Sequence, residues 1–386
     1  MNTDQTAVLL DHIREHAARY YPDHEGRDFE VQLIGIERRR SAVLSRFQLK
    51  DAEQVRHIIV KTPSLRAPRV RATELGLEKP LLVPKTDLEE MHWLHYQALV
   101  ALDEYFNGLN RKELGAIRVL DYLPQSRALI MEESKDPSLR DLLLRESRLR
   151  FPARNSELVP TFHNVGTWLR MYHTMPKKEP AQARHSYRKD FVESLAILTD
   201  FLIERTGDKT FLDRTASILT QKSHEILPEV LPLGLGHGDY AMRNILVGPG
   251  GRVTVIDTFA KWRTPIYEDI GYFLTALKTT SEQVASQGLF FSQKQFKNYE
   301  RAFLEGYFEQ KTIPYPAIRL YEMLALLDKW SSLVISSKRR SVEFKWVRDA
   351  TTALASLYFK RSTEHLLREI IGVERTAASM DPKRSY

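Results

Sequence analysis

Residues 236–246 read GHGDYAMRNIL, and residues 253–259 read VTVIDTF. The link between them, VGPGGR, contains Gly248, Pro249, Gly250 and Gly251, which specify a tight turn. Residues 245–247 and 253–256 therefore read as short apolar strands flanking that turn. Asp239 and Asn244 stand before the first strand, and Asp257 ends the second. A single Asp there is explained by capping or a local turn, because its short carboxylate bonds nearby backbone amides. Three oxygen-bearing side chains around one hairpin suit a cation and a polyphosphate. Phosphoryl transfer needs a metal held by oxygen, a cation gripping phosphate and a group that orients the attacking hydroxyl. Magnesium prefers oxygen donors, so Asn244 and Asp257 are the candidate metal ligands. Asp239, in the loop, is the candidate base. His237 has no second His or Cys near it in sequence and reads as a residue that positions the loop.

Upstream, Lys61 ends the apolar run HIIVK, whose burial would fix the stem of the lysine and aim its ammonium. The stretch 87–106, DLEEMHWLHYQALVALDEYF, predicts a helix. Asp87 can cap it with Glu90 three places later, and Leu88, Met91, Leu94 and Leu99 supply part of an apolar side. Glu90 is the preferred carboxylate partner for Lys61, being next to Met91 and one turn before Leu94. Spacing leaves Glu89 open as well.

FEVQLIGI, AVLSRFQL and HIIVK, within residues 29–61, are rich in β-branched and aromatic residues and read as strands, with DAEQVR as a hairpin connection. GAIRVLDY and ALIMEE add two more. Residues 29–133 thus predict a small β-rich lobe with one helix, preceded by a helical extension at 1–28. PSLRDLLLRE begins a larger helical lobe at 134–372, with HNVGTWLRMYHTM, FVESLAILTDFLIER, RAFLEGYFEQ, AIRLYEMLALLDKWSSLVI and DATTALASLYFKRSTEHLLREIIG as helices. MPKKEPAQARHS reads as a surface loop and 373–386 as a loose tail. The class expected is α+β.

The 386 residues contain no cysteine, which excludes disulfides, thiolate catalysis and cysteine-bound clusters. No run approaches the 18 apolar residues of a spanning helix, and MNTDQTAVLLDHIREH lacks the basic start and cleavage site of a secretory signal. A cytoplasmic location is the expectation. The net charge is +7, but the basic clusters are short (38–40, 177–178, 338–340). No zinc-finger spacing or RNA-reading strand motif accompanies them, so nucleic acid is not the expected partner. Peripheral membrane contact through a basic, apolar helix face stays open.

HGDYAMRN resembles the catalytic loop of the aminoglycoside phosphotransferase and choline kinase superfamily, written His-Gly-Asp, four variable residues, then Asn. The order of parts is similar over roughly residues 30–370. The resemblance implies a protein-kinase-like two-lobed fold. It also implies ATP-dependent, magnesium-dependent transfer to a hydroxyl of a small molecule, with GTP allowed. Asp239 would be the base, Asn244 and Asp257 (in VTVIDT) the metal ligands, and Lys61 the phosphate-gripping lysine. LIMEE is similar to the connection between lobes, where the backbone of Met131 to Glu133 would receive the adenine. In TPIYEDIGYFL, Asp269 would be a structural carboxylate.

The phosphate-covering turn departs from the family pattern. LIGIERRRSAV has Gly35 alone, so backbone amides, Ser41 and one or more of Arg38 to Arg40, with Arg40 preferred, would hold phosphate. HGD in place of His-Arg-Asp, and the lack of Ala-Pro-Glu after Asp257, argue against a protein kinase. Sugars, amino sugars, other alcohols, aminoglycosides and lipid-linked saccharides are the acceptor classes left open. Trp262, Arg263 and Tyr267 are candidates for the acceptor side. The main rival is a non-catalytic nucleotide-binding protein of the same fold, against which the retention of Lys61, Asp239, Asn244 and Asp257 speaks.

Overall fold

The computed structural model of the chain describes residues 3–22, 29–39, 42–64, 88–146, 157–177, 181–258, 260–339 and 345–378. Arg40, Ser41, the side chain of Glu89 and the end of the expected tail lie outside these. The chain divides into two compact units. Unit 1 comprises residues 1–70, 85–136 and 254–259, and unit 2 comprises residues 71–84, 137–253 and 260–386.

Unit 1 runs α1 (Thr3–Tyr20), β1 (Glu30–Arg38), β2 (Ala42–Lys50), β3 (Val55–Pro63), α2 (Leu88–Gly108), β4 (Leu114–Gly115), β5 (Val119–Leu123) and β6 (Ala128–Glu132). The sheet has the order β1-β2-β3-β6-β5, with antiparallel neighbours. The β2–β3 turn forms because Asp51 Oδ1 accepts the Glu53 and Gln54 amides at 2.8 and 2.7 Å, which fixes an Asx-type turn. Side chains alternate along a strand. Ile58 and Val60 therefore enter a core with Phe47, Leu49 and Ile130, while Lys61 takes the other face. Leu9, Ile13, Ala17 and Tyr20, one stripe of α1, pack into that same core. The segment expected as an extension is thus integral to unit 1. Asp121 fastens it, bonding His12 Nε2 at 3.0 Å and the Tyr20 hydroxyl at 3.1 Å, and pairing with Arg19.

Unit 2 contains α3 (Leu139–Arg145), α4 (Val159–His173), β7 (Gln182–Ala183), α5 (Arg188–Thr206), α6 (Lys209–Ile226), β8 (Leu233–Leu235) and β9 (Ile245–Val247). After β10 (Val253–Val255), at the boundary of the units, come β11 (Trp262–Pro265), α7 (Ile266–Lys278), α8 (Ser281–Ala285), α9 (Gln293–Phe308), α10 (Tyr315–Arg339) and α11 (Lys345–Ala378). The glycine-rich turn after β9 closes as expected, with the Gly248 amide donating to the Arg252 carbonyl at 2.8 Å. Three helices, α6, α7 and α8, are not among those expected from the sequence, and α11 takes in the first residues of the expected tail. α4 and α9 touch backbone to backbone. A Cβ on Gly166 would lie 1.9 Å from the Phe303 oxygen, and one on Gly306 would lie 2.0 Å from the His163 oxygen. This close approach lets Trp168, Tyr172, Phe273 and Phe303 pack densely beneath the loop at 236–244. Lys278 and Arg319, both bonded to Glu300 and Glu322, tie α7, α9 and α10 together.

Candidate active site

In unit 1 the candidate residues stand on β3, α2 and the segment after β10. Lys61, 18% exposed, donates from Nζ to Asp257 Oδ1 at 2.6 Å. His95 Nδ1 lies 3.5 Å from the same nitrogen, and His95 Nε2 lies 3.8 Å from Asp257 Oδ1. The carboxylate that Lys61 meets is therefore Asp257, and α2 offers it an imidazole. The expected Lys61–Glu90 pair does not form, because Glu90 is exposed. The physical cause is the rotation of α2. Positions 92, 95, 99, 102 and 106 form its buried stripe, at the three-four spacing of one helix face. His92, on that stripe, is pushed down to about 4 by burial, with Lys61 and Arg127 adding to the shift, so it is neutral near pH 7. Asp257 adopts φ +62, a left-handed conformation that is strained for a residue with a Cβ, least so for Asn and Asp. Such strain is found where a side chain must be aimed.

The connection after β6 is partly committed to the sheet. The Glu132 amide donates to the Arg118 carbonyl at 3.0 Å, and the Glu133 amide to His57 at 2.9 Å. Met131 pairs with Ile59 in the ladder. Glu133 also receives Arg46 Nε at 2.8 Å. The expected use of Met131 to Glu133 for adenine is thus restricted to carbonyls and side-chain surface at these positions. Ser134 is the next residue whose amide has no partner among the described residues.

In unit 2 the candidate residues stand on the loop at 236–244, between β8 and β9. Asp269, at the start of α7, is its anchor. Its Oδ2 accepts the His237 amide at 2.7 Å, and its Oδ1 accepts the Gly238 amide at 2.9 Å. The His173 ring bonds Oδ2 at 3.1 Å, and Tyr307 holds the other nitrogen of that ring at 2.7 Å. Burial alone would push the Asp269 carboxyl up, but His173, His237 and the loop amide outweigh it and hold it below its ordinary range. His237 Nδ1 in turn accepts the Asp239 amide at 3.3 Å, so it positions the loop as its sequence suggests.

Asp239 is 38% exposed at its side chain. Its Oδ1 accepts from the Tyr272 hydroxyl at 2.9 Å, and its Oδ2 accepts from Asn244 Nδ2 at 3.0 Å. Arg243 Nη2 reaches both oxygens, at 2.5 and 2.6 Å. Asn244 is buried, and its amide nitrogen also bonds the Asp239 carbonyl at 2.9 Å. Burial, reinforced by the negative charge of Asp239, pushes the Tyr272 hydroxyl well up, so it is a donor at neutral pH. Sequence reasoning missed Arg243, Tyr272, His95 and His173. Arg243 lay inside the deciding stretch, and His95 lay on the readable stripe of α2. Of the acceptor-side candidates, Tyr267 is buried against Tyr321, with ring centres 5.6 Å apart. Trp262 lies between Lys261 and Arg184, 5.1 and 5.9 Å from its ring centre. Arg263 is exposed on β11.

No protein-family model and no curated protein matches this sequence. Solved structures do match in fold. A choline kinase from Cryptosporidium parvum Iowa II is 12% identical with a TM-score of 0.53, over 96% of this chain and 97% of that one. A candidate aminoglycoside phosphotransferase from Ralstonia eutropha JMP134 is also 12% identical with a TM-score of 0.53, over 94% and 98% of the two chains. The chain therefore has the kinase-like α+β fold shared by these structures, with a β-rich N-terminal part and a mainly helical C-terminal part. Among the described residues, no helix is long and apolar enough to cross a membrane.

Proposed function

We propose that this protein transfers the terminal phosphoryl group of ATP, with magnesium, to a hydroxyl of a small molecule such as a sugar, an amino sugar or another alcohol. The observation that carries the reading is the loop carboxylate Asp239. It is partly exposed, fixed by Tyr272 and Asn244, and mounted on a loop anchored by a buried carboxylate. Transfer forms a bond from the acceptor oxygen to the terminal phosphorus and breaks the bond to the bridging oxygen, releasing ADP. Asp239 orients the hydroxyl and takes its proton. Lys61 grips phosphate. The Ser134 amide and nearby carbonyls meet the purine, and because such a contact is largely backbone, GTP is allowed too. The solved structures similar in fold, a choline kinase and a candidate aminoglycoside phosphotransferase, support the same class of reaction. Such a kinase works in a compartment that supplies ATP.

The donor chemistry of Asp257 and Asn244 suits magnesium. Asp257 and Asn244 would hold the ion through oxygen, the donor type it prefers. Asn244 commits its nitrogen to Asp239, which leaves its carbonyl oxygen as the donor. When bound, the ion would neutralise charge on the polyphosphate.

Lys61→Ala and Asp257→Asn should each weaken MgATP binding by roughly 10- to 100-fold, the scale of one lost charge-assisted contact. Both should remain folded, because Asn tolerates the backbone at 257. Calorimetric titration with MgATP decides this, and a gain in thermal stability with MgATP in the wild type supports it. Wild-type binding by both variants would place the nucleotide elsewhere.

A further inference from the structure

The four donor contacts on Asp239 leave its carboxylate no room for a substrate hydroxyl. A carboxylate offers about four lone-pair sites. Here they receive Tyr272 Oη, Asn244 Nδ2 and Arg243 Nη2 twice. A hydroxyl can donate to Asp239 only after one of these donors leaves. Tyr272 projects from α7 and Asn244 is buried and doubly bonded, so both are fixed. Arg243 is different. Its side chain is 53% exposed, and besides the two oxygens of Asp239 it meets only the Tyr272 hydroxyl among the described residues.

We propose that Arg243 is a cover on the catalytic carboxylate, displaced when an anionic oxygen of the substrate complex takes its guanidinium. The inference rests on the kinase reading above and extends it to how the base is released. A guanidinium that leaves a carboxylate must find a comparable acceptor, or the loss costs about as much as the pair was worth. Phosphate and carboxylate match its planar fork. The anionic oxygen can come from two sources, the terminal phosphate of the nucleotide or an acidic group on the acceptor. Lys329, whose ammonium lies 4.7 Å from the Tyr272 ring centre, adds positive charge beside the tyrosine that donates to Asp239. A neutral alcohol would lift Arg243 without giving it a partner.

The test compares the wild type with Arg243→Ala and Arg243→Lys by calorimetry, without relying on turnover. One arm measures MgATP against MgADP. The other adds glycerol 3-phosphate or glycerol to the MgADP complex. If the terminal phosphate displaces the cover, Arg243→Ala loses at least tenfold of the preference for MgATP over MgADP. If an acidic acceptor does so, the variant loses at least tenfold of the preference for glycerol 3-phosphate over glycerol. Arg243→Lys should restore part of either preference, because it keeps the charge without the fork. Equal preferences in the wild type and Arg243→Ala, or no anion preference in the wild type, would overturn the proposal. A wild type that shows the Arg243-dependent preference but never transfers phosphate would instead overturn the kinase reading and leave the cover standing.

Discussion

Asp239→Asn should lower phosphoryl transfer by about 10²- to 10⁴-fold, the range of lost acid–base and positioning catalysis. Nucleotide affinity should stay within about tenfold of the wild type, because Lys61 and Asp257 remain in place and already hold each other at 2.6 Å. The substitution is nearly isosteric, but an amide cannot accept from every donor that now converges on the carboxylate. The Tyr272 hydroxyl, Asn244 Nδ2 and Arg243 Nη2 all donate, so the Asn nitrogen would face another donor and the Arg243 pair would weaken. Steady-state rates and calorimetry on the same preparations separate the two effects. A fall in transfer matched by an equal fall in MgATP affinity would mean that Asp239 serves the nucleotide.

Asp269→Ala should have the largest effect on stability, a loss of about 3–5 kcal/mol, the scale for removing one partner of a buried, hydrogen-bonded charge. The variant leaves the His237 and Gly238 amides and the His173 ring without their acceptor, and His173 and His237 are buried with it. The same carboxylate gives a pH dependence of known sign. Its folded pKa lies below the ordinary value, so its contribution is complete above the unfolded carboxylate value of about 4 and is lost as pH falls through the lower folded value. Denaturant unfolding from pH 7 down to pH 3 should show this acid loss in the wild type. Asp269→Asn should already lack that part of the stability at pH 7 and show a shallower acid limb. Equal midpoints for all three proteins across this range would remove Asp269 as the anchor of the loop.

The deciding stretch was legible because its chemistry is local. A glycine-rich turn, two short apolar strands and three oxygen-bearing side chains lie within about twenty residues, and the turn forms as read. Lys61 was legible from its place at the end of a buried strand. Its partner was not, because the rotation of α2 is set by packing. Both Glu90 and His95 are within reach along the sequence, and only the continuity of 92 and 95 with Leu99, Leu102 and Phe106 turns the imidazoles inward. That stripe could have been counted. The sequence reading omitted α6 because its buried face mixes Leu212 and Leu219 with Thr215, Lys222 and Ser223, which dilutes the apolar period. The commitment of the Glu132 and Glu133 amides depends on β5 and β3, each distant in sequence, so no local signal could show it. Asp239 was readable as an acid in a loop. The fourfold crowding of its oxygens was not, since Tyr272 comes from a helix thirty-three positions away.

The most direct test of the central claim incubates the purified protein with MgATP and a panel of sugars, amino sugars, polyols, choline-type alcohols and their phosphorylated or carboxylated counterparts. Mass spectrometry then detects acceptors that have gained one phosphoryl group. At least one phosphorylated product is expected from the wild type, in amounts that fall by about two orders of magnitude or more with Asp239→Asn. A product formed equally well by Asp239→Asn would contradict the catalytic assignment. No product from any acceptor, in a protein that titration shows to bind MgATP, would contradict phosphoryl transfer and leave a nucleotide-binding protein with a kinase fold.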